Sequence, residues 1–135
     1  MKLFLSWSGK TSEKVALVFM EWIPSVIQVA NPYVSSEDIN KGTRWNTDIA
    51  EELEASSFGI ICVTPENLEA PWIHFEAGAL SKIIDKSHVC PFLLGVKKKD
   101  IKGPLVQFQS TTYKKDDVKK LLLTMNEALD ENALP

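Results

Sequence analysis

FGIICV, residues 58 to 63, is the stretch from which the fold can be read. Its apolar residues run without polar alternation between turn-forming neighbours, as expected of a central strand covered on both faces of a sheet. Upstream, KLFLSW, residues 2 to 7, reads as another strand, and the Ser, Gly and Thr of SGKTSE mark the loop that follows, Ser6 to Glu13. Val15, Val18, Phe19, Trp22, Ile23, Val26 and Ile27 then recur at steps of three and four, which describes one face of a helix. Pro24 is expected to kink or restart that helix. An extended piece near Tyr33 and Val34 leads into a polar loop, Ser35 to Thr43, and Trp45, Ile49 and Leu53 mark a second helix.

Downstream, Pro65 and Pro71 bar a continuous helix through TPENLEAP, residues 64 to 71, and Ile73, Ala77, Leu80 and Ile84 form the stripe of a third helix. HVCPFLLG, residues 88 to 95, reads as a buried strand in which Pro91 suggests an edge position or a bulge. Residues 97 to 107 are ambiguous, and Phe108 to Tyr113 suits a last short strand. Val118, Leu121, Leu122, Met125 and Leu129 form a final amphipathic helix, with Asp116 and Asp117 placed at its start to suit the helix dipole. This alternation of strand and helix, repeated about five times, predicts an α/β fold: a parallel sheet flanked by helices on both faces. Ligands of such sheets bind beyond the carboxyl ends of the strands, so the loops Ser6 to Glu13, Ser35 to Thr43 and Thr64 to Trp72 are where chemistry is expected.

The 135 residues fit one domain, 1 to 135, and 15 basic against 18 acidic residues leave a net charge of −3, so no direct nucleic-acid partner is expected. No apolar run is long enough to span a membrane and no signal peptide is read at the start, so a cytoplasmic protein without a membrane partner is expected. Cys62 and Cys90 lie in apolar runs, which fits buried free thiols in a reducing compartment. The two histidines are spread apart with no metal-ligand spacing, so no metal is expected, and they are read as surface or structural groups.

Several catalytic classes lack their motifs. The first loop does not have the spacing of a phosphate-cradling loop, there is no G-x-G-x-x-G, and no G-x-S-x-G serine elbow occurs. Trp7 ends the first strand at the ligand-binding edge, where both a base-stacking aromatic and a core tryptophan fit. Glu76 is the odd residue, because it sits in APWIHFEAGAL, a stretch with no other formally charged residue, one helical turn after Trp72. A carboxylate among apolar neighbours needs partners or a task, since removing its charge from water costs several kcal/mol. From the residues alone, a structural hydrogen-bonding role and a catalytic one both stand.

FLSWSGKTSE, SSEDINKGTRW, GIICVTPENLEAPW and WIHFEAGAL together resemble a Toll/interleukin-1 receptor (TIR) domain of prokaryotic, NAD-cleaving type, over essentially the whole chain from Lys2 to about Leu129. The resemblance implies a flavodoxin-like five-stranded parallel sheet, with Ser35 to Thr43 as the so-called BB loop. Its most specific element is tryptophan, three residues, then glutamate, which maps onto Trp72 and Glu76 and implies that Glu76 is the catalytic residue. Trp72, Trp7, Ser6, Asp38 and Arg44 are the candidate substrate-binding residues, with bulk alone equally consistent with Trp72 packing the helix start. The first loop departs from the commoner family wording, in which the serine is followed by an aromatic, a histidine or basic residue and an acid; Trp7-Ser8-Gly9 stands here instead. Trp45, next to the BB loop, shares the stripe of Ile49 and Leu53 and is read as an anchor of the second helix.

What the resemblance implies is an NAD+ glycohydrolase, with NAD+ as substrate and no cofactor. It would release nicotinamide and ADP-ribose or a cyclic isomer when TIR domains assemble, in bacterial defence against phage. Its implied partners are other TIR domains and a fused or associated sensor domain, which would make this chain a domain of a longer protein or a partner-dependent subunit. A non-catalytic TIR–TIR interaction module is the alternative, against which Glu76 and Trp72 speak. A flavodoxin-like binding domain for another small ligand is a third reading.

Overall fold

The computed structural model describes residues 2–7, 9–28, 30–34, 58–68, 88–101 and 103–127. Five strands, β1 (Lys2–Ser6), β2 (Asn31–Val34), β3 (Phe58–Val63), β4 (Val89–Leu93) and β5 (Thr111–Thr112), form one sheet in the order β2-β1-β3-β4-β5. Every pairing is parallel, and β3 is central as its unbroken apolar run predicts. Leu3 faces Pro32 on one side of β1 and Phe58 on the other, and Ile61 of β3 faces Pro91 of β4. The two described helices are α1 (Lys10–Val26) and α2 (Lys115–Glu127), and residues 98–100 and 103–107 form short 3₁₀ turns between β4 and β5. The second and third helices expected from the sequence, around Trp45 and from Ile73 to Ile84, lie outside the described residues. Among the described residues no helix is long and apolar enough to cross a membrane.

Alternation along the strands divides the core. Leu3, Leu5, Phe58, Ile60, Cys62, Cys90 and Phe92 form one cluster with Ala16, Phe19 and Ile23 of α1 and Leu121 and Met125 of α2. Phe4, Ile61, Val63 and Leu93 alternate with these along their strands and are as fully buried, so both faces are covered. Phe19 meets Phe92 edge to face, with ring centroids 4.8 Å apart and planes at 90°, the arrangement that sets the positive edge of one ring against the negative face of the other.

Three local expectations are corrected, and a fourth holds in part. The first loop is shorter than the sequence suggests, because α1 begins at Lys10 rather than beyond Glu13. Pro24 neither restarts nor ends α1, which runs to Val26; its missing N–H falls in the last turns of the helix, where Ile27 N–H still reaches the Ile23 carbonyl at 2.8 Å. The apolar stripe of α1 is split: Ser12, Ala16, Phe19 and Ile23 are buried, whereas Val18 is 63% exposed and Trp22 and Val26 are also exposed. The stripe is wider than the strip of sheet beneath it. Pro91 makes no bulge, since it stands in regular register with Ile61; the edge expectation holds locally, because β5 pairs only with Phe92 and Leu93 and leaves Pro91 past the end of that ladder, although β4 as a whole is an interior strand.

The last strand is also shorter than its expected span, with only Thr111 and Thr112 in the ladder. It is pinned to α2 through Asp117, whose carboxylate accepts hydrogen bonds from the Thr112 N–H at 3.2 Å and the Thr112 hydroxyl at 2.5 Å, with the Lys98 ammonium 4.0 Å away. These contacts, the Thr112 hydrogen bonds foremost, hold the Asp117 carboxyl below its ordinary pKa. Cys62 and Cys90 are buried free thiols. Burial pushes both up, Cys90 to about 11 despite its contact with the Thr111 hydroxyl at 3.1 Å. His88 stacks on Phe58 at 6.0 Å between ring centroids, in keeping with a structural histidine.

Two predictions follow from this packing. Phe19→Ala should cost about 3–5 kcal/mol in urea unfolding, whereas Val18→Ala, on the exposed shoulder of the same helix, should stay within about 0.5 kcal/mol. Neither cysteine should react with a disulfide reagent until the protein unfolds. Because the folded state holds both thiols protonated, their contribution to stability is complete below the ordinary value of 9.0 and declines as pH rises from there through about 11 for Cys90, which unfolding curves taken across that range would register.

Candidate functional site at the carboxyl edge of the sheet

The carboxyl ends of β1 and β3 lie side by side, since Ser6 is in register with Ile61. Ser6 is fully buried, and Trp7 behind it is half-buried against the core cluster on the side of α1. The base-edge and core readings of Trp7 are therefore compatible: its body packs, while its indole N–H is buried with no hydrogen-bond partner among the described residues. Gly9 follows at φ 87° and ψ 162°, a region open essentially to glycine alone. That turn starts α1 at once, with the Glu13 N–H bonding back to the Gly9 carbonyl at 2.9 Å.

Gly9 offers no side chain to cap the helix, and the cap comes from elsewhere in the sequence. Glu66, just after β3, accepts the Thr11 N–H at 2.8 Å through its Oε1, which satisfies one of the donors left over in the first turn and places negative charge at the positive end of the helix. The fit is close: a Cβ on Gly9 would stand 2.7 Å from that same oxygen. Glycine is required here for its backbone angles and for the approach of the carboxylate together.

A second set of bonds joins the same elements lower down. The Cys62 carbonyl accepts the Ser12 hydroxyl at 2.8 Å and the Asn67 side-chain amide at 3.0 Å, using both of its lone-pair directions. Asn67 also receives the Thr64 N–H on its Oδ1 at 2.8 Å and donates its own N–H to the Thr64 carbonyl at 3.1 Å, closing the turn after β3. On the other flank the Leu94 N–H donates to the Val63 carbonyl at 3.0 Å. Thr64, 1% exposed, has a hydroxyl without a hydrogen-bond partner among the described residues. The edge thus encloses a buried indole N–H and a buried hydroxyl, neither with a hydrogen-bond partner among the described residues, on a braced backbone.

Of the residues expected at the site, the described structure brings Ser6 and Trp7 to this edge; Asp38, Arg44, Trp72 and Glu76 lie outside the described residues. Among the described residues there is no group of three His, Cys, Asp or Glu side chains suited to a metal ion. Gly9, Ser12, Thr64, Glu66 and Asn67 fall within the loops Ser6 to Glu13 and Thr64 to Trp72 where chemistry is expected, but sequence reading gave them no individual role and did not foresee the bonds that join them. The available signal was local to Thr64-Pro65-Glu66-Asn67, where an Asn three residues after a Thr in a proline-containing stretch suits a side-chain-closed turn.

A family model described as TIR domain matches residues 3–122. The chain belongs to the TIR domain family. That family includes both NAD-cleaving enzymes and signalling modules. Among solved structures, a metazoan TIR-STING receptor from C. gigas is similar at TM-score 0.64 and 18% identity, over 91% of this chain and 39% of that one. This TIR domain thus spans well under half the length of that receptor chain. The TIR domains of the activated Roq1 resistosome, a complex that recognises the effector XopQ, are similar at TM-score 0.56 and 16% identity, over 97% of this chain and 82% of theirs. The SEFIR domain of interleukin-17 receptor B is similar at TM-score 0.53 and 14% identity, over 92% and 96% of the two chains. No curated protein matches. At these identities the likeness is one of fold, and it agrees with the all-parallel five-stranded sheet.

The Glu66 cap is testable by a double-mutant cycle. Glu66→Ala should cost about 1 kcal/mol, the usual value of a helix cap, and Gly9→Ala about 1–3 kcal/mol through its backbone angles and its crowding of the carboxylate. The two together should cost less than their sum, because removing the carboxylate removes the crowding, and urea unfolding of the four proteins measures the difference.

Proposed function

We propose that this TIR domain is an NAD+ glycohydrolase in which Glu76 is the catalytic carboxylate. The observation that carries the reading is the pairing of Trp72 and Glu76 in the sequence, four and eight residues beyond Leu68, in the chain that leaves the braced edge of a TIR fold. Strand-end edges of this kind are where open α/β sheets bind ligands. The bond from Glu66 ties the start of that segment to the first turn of α1, and Asn67 closes its turn onto the Cys62 carbonyl.

The chemistry needs only one carboxylate. In NAD+ the nicotinamide is already a cationic leaving group, so breaking its bond to the ribose requires no general acid. The bonding electron pair leaves with the nicotinamide, the ribose carbon acquires oxocarbenium character, and a carboxylate beside it stabilises that developing charge. Water then adds to the ribosyl carbon and loses a proton, giving ADP-ribose; capture by an adenine nitrogen gives the cyclic isomer. Trp72 would wall the nicotinamide and ribose, and Ser6, Trp7, Asp38 and Arg44 would contact the rest of the substrate.

In this reading turnover rises on self-assembly, under the control of a fused or associated sensor, and NAD+ loss serves defence against phage in a bacterial cytoplasm. Self-association without chemistry is the alternative, and the exposed shoulder of α1 around Val18 and Trp22 is the observation in its favour. NAD+ and nicotinamide should be followed over time with the domain clustered on beads, beside Glu76→Gln. Clustering should raise turnover per domain, by mass action on a site completed in the assembly, and the substitution should lower the rate about 100-fold or more. Unchanged NAD+ under demonstrated clustering would leave the interaction module.

A further inference from the structure

The shortness of β5 leaves a gap on the outer side of β4. Only Phe92 and Leu93 find partners there, on Thr111 and Thr112, so Val89 to Pro91 have no strand paired to them on that side. A cavity of about 300 Å³ occupies the space between this part of β4, the residues Gln109 and Ser110 that lead into β5, and one flank of α2. That flank carries Lys120, Leu121 and Thr124 and is the opposite one from Val118, Lys119 and Leu122. The inner wall starts from Phe58 and Val89, the first residues of β3 and β4, whereas Ser6 and Trp7 stand at the carboxyl ends of the strands.

The lining sorts by depth. Phe58, Val89, Cys90 and Leu121 are buried and make an apolar back wall, while Lys98, Gln109, Lys120 and Thr124 are exposed and bring two ammonium groups, an amide and a hydroxyl to the mouth. Thr111 is the buried polar member, with its hydroxyl 3.1 Å from the Cys90 sulfur, and either atom can be the donor. A protonated Cys90 can therefore donate to the Thr111 oxygen while the hydroxyl proton turns to a ligand. Charge narrows the class further. Two lysines against the single carboxylate of Asp117 leave the lining at +1, and that carboxylate is already engaged by the Thr112 N–H and hydroxyl. A cation would meet the two ammonium groups. A dianion such as inorganic phosphate would meet Asp117 and leave the apolar wall bare.

We propose that this cavity is a binding site for a small organic carboxylate, a compact apolar body carrying one negative charge. The body packs on Phe58, Val89 and Leu121, the charge lies between Lys98 and Lys120, and Thr111 supplies a neutral donor. The volume is at the lower end of the range for small-molecule sites, which suits a single ring or a short branched chain. Such a ligand fills the place a longer β5 would have covered and bridges β4 to α2, so it stabilises the folded chain in proportion to its occupancy.

Benzoate is the probe, titrated into the full chain at neutral pH and constant ionic strength and followed by amide chemical shifts. Benzamide keeps the ring and removes the charge, acetate keeps the charge and removes the ring, and benzylammonium reverses the charge. Benzoate should saturate with a Kd of about 1 mM, the range open to a fragment of this size, with its largest shifts at Cys90, Ser110, Thr111, Lys120 and Thr124. Benzamide and acetate should each bind at least fivefold more weakly, benzylammonium should not bind, and the thermal midpoint should rise with benzoate alone. Lys98→Ala with Lys120→Ala should weaken benzoate at least fivefold and leave benzamide within twofold; Thr124→Phe, which puts a ring into the mouth, should remove both. All three positions are exposed, so the fold is expected to survive, and circular dichroism checks that it does. Benzamide or acetate binding as tightly as benzoate, no saturable shift, shifts confined to another surface, or unchanged benzoate affinity in both variants would each overturn the proposal. NAD+ turnover does not enter any of these readouts, so the result is independent of the glycohydrolase reading.

Discussion

The carbonyl of Cys62 is the atom on which the working edge of this domain depends. It lies one residue before the end of the central strand, and it accepts two hydrogen bonds from different parts of the chain, the Ser12 hydroxyl of α1 and the Asn67 amide of the following turn. A buried carbonyl left without partners would cost about 1–3 kcal/mol, so both donors are held by the need to satisfy it as well as by their own burial. The distance from α1 to β3 is thereby set at the level of single atoms. Glu66 repeats the tie one layer further out, where its carboxylate takes the Thr11 N–H. Two loops that are far apart in sequence thus move as one body.

That rigidity bears on what a TIR domain can do at this edge. Stabilising a developing positive charge requires a carboxylate already in position, because reorganising a site during reaction cancels much of the electrostatic gain. A brace made of backbone carbonyls, a side-chain amide and a helix cap places no charged group of its own in competition for the ligand, since the Glu66 carboxylate is taken up by the amino end of α1. The Trp7 indole N–H and the Thr64 hydroxyl, both neutral, lie buried behind the same edge.

Much of this fold is legible in the amino-acid sequence because buried parallel strands write themselves as unbroken apolar runs. FGIICV marks the central strand, and KLFLSW and HVCPFLLG mark the two strands beside it. What escapes sequence reading is set by partners distant along the chain. The start of α1 is shifted because its cap, Glu66, lies 55 residues from the N–H it accepts, and Gly9 then serves as the turn that admits it. Pro91 marks a local edge correctly but does not show that its strand is interior, because that depends on a neighbouring two-residue strand not reached for another 20 residues. The stripe of α1 misleads in the opposite sense: periodicity finds the apolar side of a helix but not how much of it the sheet can cover, so Val18 and Trp22 look like core and are surface. For the site, Ser6 and Trp7 are found by following a strand to its end, whereas Gly9 and Ser12 carry no motif and emerge only from what they touch.

The two outer strands have a consequence for solubility under crowding. One border of the sheet is β2, where Pro32 removes an N–H from a four-residue strand, and the other is β5, which offers a ladder of two residues. Neither is a usable template for an incoming strand, so neighbouring copies gain little from zipping their sheets together edge to edge. A protein domain built this way can be packed at high local density without seeding cross-β fibres. Any polymer it forms must be joined by helices and loops, whose contacts can be undone.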